Sequence, residues 1–209
     1  MWKNFKYGAS GHFREQFGLY LLVFFILLAG IVAGAFSVRM MEESQLNEIN
    51  TYFYSFIDGL TEQQPVNTSL ILQRSLLQNG SFILALWLCG TVFIGFIPAL
   101  CLVFYRGYTI GFTVGFLAGQ NMGGILFSLG AVFPQNIIYV PVTILAGVLA
   151  VSFSLMLLKR RVKGKLIPFG AYLFQYTLAM LMVVFLFAAG SLVETTITPV
   201  FMRAVVSLL

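Results

Sequence analysis

The sequence predicts an all-α polytopic membrane protein with five transmembrane helices, N-terminus inside and C-terminus outside, and a helical outer segment between the first two spans. Three observations predict it. Of 209 residues, 59% are hydrophobic and only 9% charged, at a mean hydropathy of +0.93. A soluble domain carries about 25% charged residues, so too little polar surface is present to cover a water-soluble globule. Uncharged runs extend over 17–38, 75–105, 107–158 and 166–193, each long enough for a hydrocarbon core of about 30 Å. Lysine and arginine concentrate between alternate runs. The whole chain, 1–209, then reads as a single integral membrane domain with no room for a separate soluble catalytic domain.

The run 107–158 is too long for one span, because at the helical rise it crosses the bilayer more than twice. Phe133-Pro134-Gln135-Asn136 lies near its middle and reads as a turn: proline lacks a donor, disfavours helix in the residue before it, and is followed by two amides. With Arg106 dividing the runs on either side, the spans fall near 17–38, 82–105, 107–131, 137–158 and 169–193. The first also imitates a secretory signal through Ala33-Gly34-Ala35, but its apolar run is long for one and reads as an uncleaved anchor. Cleavage would leave the remaining topology unchanged.

Orientation follows from the basic residues. Lys3, Lys6, Arg14, Arg106, Lys159, Arg160, Arg161, Lys163 and Lys165 fall inside, against Arg39, Arg74 and Arg203 outside. All carboxylates but Glu15 fall outside. The net charge of +5 resides mainly in these inner segments. The cluster from Lys159 to Lys165 reads as a stop-transfer loop facing anionic lipid. It is too short, and too bare of soluble fold, for nucleic acid.

Gly107, Gly111, Gly115, Gly119 and Gly123 recur at strict four-residue spacing. Successive members are displaced by about 40°, giving a slowly winding groove that a neighbouring backbone can enter. Gly30 and Gly34 with Ala29 and Ala33, and Ala146, Gly147, Ala150 and Ser154, are its expected partners. A pore wall or a self-association face, and hence a homo-oligomer, is the alternative use. Gln120-Asn121-Met122-Gly123-Gly124 reads as a kinked span end or a short re-entrant turn.

In the outer segment 39–81, Leu46, Ile49, Phe53, Phe56, Ile57 and Leu60 recur at three- and four-residue steps and predict an amphipathic helix, with Tyr52 and Tyr54 beside them. Asn67 is a plausible N-cap for a second helix through Leu77. The apolar face of this hairpin, including Tyr52, either lies on lipid and the spans or docks an extracytoplasmic partner. Thr198-Pro199 predicts a short terminal helix, Val200 to Leu209.

No ionisable residue is expected deep in a span, Arg106 and Glu194 being placed at edges, which speaks against a pump. His12 is the only histidine, and Cys89 and Cys101 are placed far apart along one span. No metal site, cofactor or nucleophile–base pair follows, and no enzyme is expected.

The basic arm leading into span one, the outer helical segment, the glycine-rich central spans and Phe133-Pro134-Gln135-Asn136 followed by Pro141 together resemble the stage II sporulation protein M family over nearly the whole length. Wider relatives carry Pro-His-Gly and then a glutamate at that turn. Gln135 and Asn136 stand in the His-Gly positions here and Tyr139 in the glutamate position, so no metal or proton role carries over. The resemblance implies a non-catalytic scaffold in the mother-cell and septal membrane during engulfment. Its implied partners are the peptidoglycan-cleaving stage II sporulation proteins D and P, besides membrane lipids. A small-solute channel or permease subunit lined by the glycine groove is the alternative.

Overall fold

Many large apolar side chains face outward, and several small polar ones are buried beside an apolar core. Phe17, Phe25, Phe174 and Phe185 are 60%, 59%, 70% and 75% exposed, whereas Ser75, Asn79, Ser154 and Ser191 are buried. Lipid as solvent imposes that arrangement, because hydrocarbon welcomes an exposed phenylalanine and leaves a hydroxyl without a partner.

The computed structural model describes residues 3–61, 68–162 and 169–206, with side chains for 16–55, 68–120, 132–162 and 169–198 and for 128, 130, 200 and 201. Helix α1 (Lys3–Ser37) passes through a short 3-10 turn, Val38–Met40, to α2 (Glu43–Thr61). There follow α3 (Thr68–Thr91), α4 (Phe96–Gly119), α5 (Asn121–Val162) and α6 (Phe169–Val206). Among the described residues, four stretches are long and apolar enough to cross a membrane: Gln16–Met40, Phe96–Gly119, Val132–Val162 and Phe169–Thr198. Helix α3 equals α4 in length at 24 residues, but Gln73, Arg74, Gln78 and Asn79 lower its hydropathy and it is not among the four.

Both central chain reversals differ from the sequence reading. The first lies at Val92–Gly95, not at Arg106. Gly95 N–H bonds Val92 O at 3.0 Å, and Ser154 Oγ on α5 donates to the same oxygen at 2.8 Å, so this turn carbonyl accepts two hydrogen bonds. The second lies at Gln120, whose extended backbone ends α4. Phe133-Pro134-Gln135-Asn136 is consequently no turn: α5 runs unbroken through Pro134 and Pro141. Packed neighbours and side-chain donors let a membrane helix keep its prolines. Just past Pro134, Asn136 Nδ2 adds a side-chain bond to Val132 O at 2.7 Å. Helix α6 likewise continues past Pro199, without a separate terminal helix, and α3 merges the second arm of the expected outer hairpin with the first half of the expected second span.

Helices α1 and α4 pack in parallel, backbone against backbone. Gly107 meets Leu27, Gly111 meets Ile31 and Gly115 meets Ala35, while Gly30 and Gly34 on α1 meet the main chain at Phe104, Tyr108 and Phe112. Helix α5 closes this seam through Gly147, against Val103 and Val23, within a cluster of Val23, Leu27, Val103 and Val148. A second cluster joins α3, α5 and α6, where the Phe153 and Tyr176 rings stack at 4.3 Å. At the end of α4 that carries Phe116, Leu46, Ile49 and Phe53 of α2 pack on Val38, Phe116, Leu117 and Val132.

A Cβ at Gly115 lies 2.8 Å from Ala35 Cα, whereas Gly119 has nothing within 4 Å. Gly115→Ile is therefore expected to lower stability in detergent by at least about 1–3 kcal/mol, the usual cost of overpacking, and Gly119→Ile to leave it nearly unchanged. Thermal unfolding of both variants checks this, and equal melting would remove the seam from the account.

Candidate functional site

Moving the chain reversal from Arg106 to Val92–Gly95 puts Arg106 inside α4. It stands ten residues after Phe96 and thirteen before Gly119, about 15 and 20 Å from the two ends by helical rise. That is the middle of a span. The expectation that no ionisable group lies deep in the bilayer is thus overturned, and an intramembrane charge marks a functional site by its cost.

Three other helices supply its surroundings. Ser75 and Asn79, four residues apart, share one face of α3, and Phe187, Ser191 and Glu194 share one face of α6. Tyr139 comes from α5, its ring seated where a Cβ at Gly190 would stand 2.9 Å from Tyr139 Cδ1. Arg106 Nη2 donates to Asn79 Oδ1 at 2.9 Å, and Asn79 Nδ2 donates to Tyr139 OH at 2.9 Å. Tyr139 OH and Ser75 Oγ donate to Glu194 Oε2 at 2.7 and 2.6 Å. Ser191 Oγ lies 3.2 Å from Asn79 Nδ2 and donates to Phe187 O at 3.2 Å. Each hydroxyl has one proton, and this assignment uses each once.

The two charges are linked through this relay without direct contact, so the cluster is neutral as a whole. Around the guanidinium stand the rings of Tyr139, Phe82 and Phe187, at 5.2, 5.5 and 6.0 Å from its carbon. Their faces favour a cation in a medium that cannot hydrate it. Desolvating an ion costs several kcal/mol; the relay and the ring cage offset part of that.

Next to the cluster is a cavity of about 170 Å³, lined by Ser75, Asn79, Arg106, Tyr139 and Glu194, with Gln78, Thr109, Ile110, Thr113, Val132, Gln135 and Asn136 completing the wall. Two buried polar atoms of its lining lack partners, Arg106 Nε and Gln135 Oε1. Among the described residues no group of His, Cys, Asp and Glu could hold a metal ion. Cys89 and Cys101 are free thiols on different helices, α3 and α4, not on one span.

The residues singled out from the sequence disperse over this frame. Gly107, Gly111 and Gly115 lie against the α1 backbone, and Gly115 with Gly119 lines an open cleft of about 720 Å³ between α1, α2 and α4. The surroundings of Gly123 lie outside the described residues. Leu46, Ile49 and Phe53 point inward onto α4, Phe53 meeting Phe116 edge to face at 5.9 Å, while Tyr52 is 72% exposed. The side chains of Phe56, Ile57 and Leu60 lie outside the described set, as do those of His12, Lys163 and Lys165. Of the expected turn, Gln135 and Asn136 line the cavity beside Pro134, and Phe133 faces outward. The sequence reading missed Asn79, Ser75, Tyr139 and Ser191 as a set. The available signal was the cluster of amides in an otherwise apolar run, Gln78-Asn79, one span away from Arg106.

A family model described as stage II sporulation protein M matches residues 22–199. That stretch contains the cavity, the cluster and the glycine seam. No curated protein and no solved structure matches the chain.

If the relay couples the two charges, Arg106→Leu and Glu194→Leu each destabilise by leaving the other charge unmatched, and the double variant recovers about 0.5–3 kcal/mol of the summed loss. Denaturant unfolding of the four proteins in detergent measures that coupling. Strict additivity would mean that the charges do not sense each other.

Proposed function

The chain belongs to the stage II sporulation protein M family, and from that premise we propose that this multi-pass membrane protein of sporulation is a non-catalytic scaffold. It holds peptidoglycan-cleaving partners at the septal and mother-cell membrane during engulfment. The partners in this reading are the stage II sporulation proteins D and P, as the family resemblance implies.

The observation that carries the reading is the seating of α2. One face, Leu46, Ile49 and Phe53, packs on the end of α4, and Gln120 Nε2 bonds Asn50 Oδ1 at 2.6 Å. Tyr52 and Tyr54, two residues apart and so on opposite flanks of that face, are 72% and 52% exposed. An amphipathic helix docked by one face and flanked on each side by an exposed aromatic ring is suited to protein contact, since aromatic anchors dominate many interfaces.

The same proposal sets α2 outside the cell. Contacts along the seams make α1, α4 and α6 run one way and α3 and α5 the other, so counting α3 as a crossing gives five passes. With Arg106 inside a span, the inner basic set becomes Lys3, Lys6, Arg14, Lys159, Arg160, Arg161, Lys163 and Lys165 against Arg39, Arg74 and Arg203 outside, and the bias still puts the N-terminus inside.

Two experiments test this. A reporter active only outside the cytoplasm, fused after Leu60 or Leu209, is expected to be active and one at Lys163 silent; activity at Lys163 overturns the orientation. Tyr52→Glu with Tyr54→Glu is expected to abolish co-purification of the two cell-wall enzymes with melting unchanged, since both side chains are exposed. Undiminished recovery of partners from this variant would sink the scaffold surface.

A further inference from the structure

The α3–α6 cavity is more than the relay requires. A structural ion pair would close over its charges, yet here a space of about 170 Å³ adjoins both Arg106 and Glu194. The guanidinium has five N–H donors. One hydrogen bond, Nη2 to Asn79 Oδ1, is made, and Nε is buried without an acceptor. On Glu194, Oε2 accepts both hydroxyl protons and no described side chain donates to Oε1. Gln135 Oε1 is buried and lacks a donor.

The wall therefore asks for two complementary things at once, an anion able to take the guanidinium fork and a cationic donor able to meet a carboxylate and an amide oxygen. Three hydrogen bonds in series, through Asn79 and Tyr139, hold the opposite charges apart. A simple anion would meet Glu194 unfavourably, and a simple cation would meet Arg106 unfavourably. The cavity is too small for a lipid head with its chains, and its exposed rim, Gln78 and Thr113, is polar.

We propose that this cavity binds a small zwitterionic solute of the amino-acid type, its carboxylate on Arg106 and its ammonium on Glu194 and Gln135. The inference stands apart from the scaffold reading and uses none of the α2 surface. A zwitterion keeps the site neutral, satisfies both orphaned atoms and matches the fixed polarity of the relay. Arg106 supplies the planar bidentate recognition that carboxylates favour.

The test is equilibrium dialysis of the full chain in lipid nanodiscs against radiolabelled glycine, alanine and β-alanine, with propionate and ethylammonium as half-ligand competitors. At least one zwitterion is expected to bind saturably, with each half-ligand competing at least about tenfold less well. Gln135→Leu, at a side chain whose Oε1 makes no hydrogen bond to the relay, is expected to weaken binding about tenfold at unchanged melting temperature. Glu194→Gln is expected to shift preference from the zwitterion toward propionate. Absence of saturable binding by all three zwitterions, as for a cavity holding water only, overturns the proposal. Equal competition by a half-ligand, or parent-like affinity in folded Gln135→Leu, overturns it as well.

Discussion

Arg106 is a fixed charge in the middle of a helix that crosses a low-dielectric medium, and four helices are arranged to meet its needs. It cannot snorkel to water from about 15 Å inside, nor shed its proton. Asn79 brings α3, Tyr139 brings α5, and Glu194 with Ser191 brings α6 to the same point. This explains an oddity of α3. Its amides and serines make it a poor helix for lipid, but turned inward they are the donors and acceptors that the charge requires, and the outward residues Leu76, Leu77, Leu84 and Leu88 meet hydrocarbon. Helix α3 is thus shaped by its partner helix more than by the bilayer.

A different physics holds α1. Between α1 and α4 the hydrogen bond from Tyr108 OH to Ser37 Oγ, at 2.9 Å, is secondary to glycine, which on both sides brings the backbones into contact along Leu27, Ile31 and Ala35. Hydrocarbon offers no hydrophobic drive for helix association, so close dispersion contact is the stabilising term. Helix α5 lies between the two regimes. Gly147 packs on the glycine seam, Ser154 adds a second donor to the turn carbonyl at Val92, and Tyr139 enters the polar cluster. Three tasks along one helix account for its unbroken course through Pro134 and Pro141.

Helical class, the apolar mass, the glycine stride and the amphipathic α2 were all legible in sequence, since each is a periodicity or a composition. The position of the first central reversal was not. Val92-Phe93-Ile94 is as apolar as the helices it joins, so no dip in hydropathy marks it, and the remaining clues were Gly95 and Pro98. Arg106, the only charge between 75 and 158, attracted the loop assignment instead. From that one displacement followed the belief that no charge lies in the membrane. Pro134 misled for a related reason: proline breaks helices in water more surely than among packed membrane neighbours. The site itself was illegible because its members are distant in the chain, Ser75 and Glu194 being 119 positions apart, and nothing local in either stretch points to the other.

Helix α4 joins these features through its two stripes. Gly107, Gly111 and Gly115 form the stripe that receives α1; Arg106, Ile110 and Thr113, rotated by about 100°, form the stripe that walls the cavity. Past the last turn of the second stripe come Phe116 and Leu117, on which α2 rests, and Ile110 itself packs toward that same outer cluster. The seat of α2 and the wall of the cavity are therefore consecutive parts of one helix. Because α1 clamps α4 along its glycines, α4 cannot yield by bending locally at either place. Ile110 belongs to both, lining the cavity and packing against the cluster beneath α2. The physical path between them is a single turn and a half of helix.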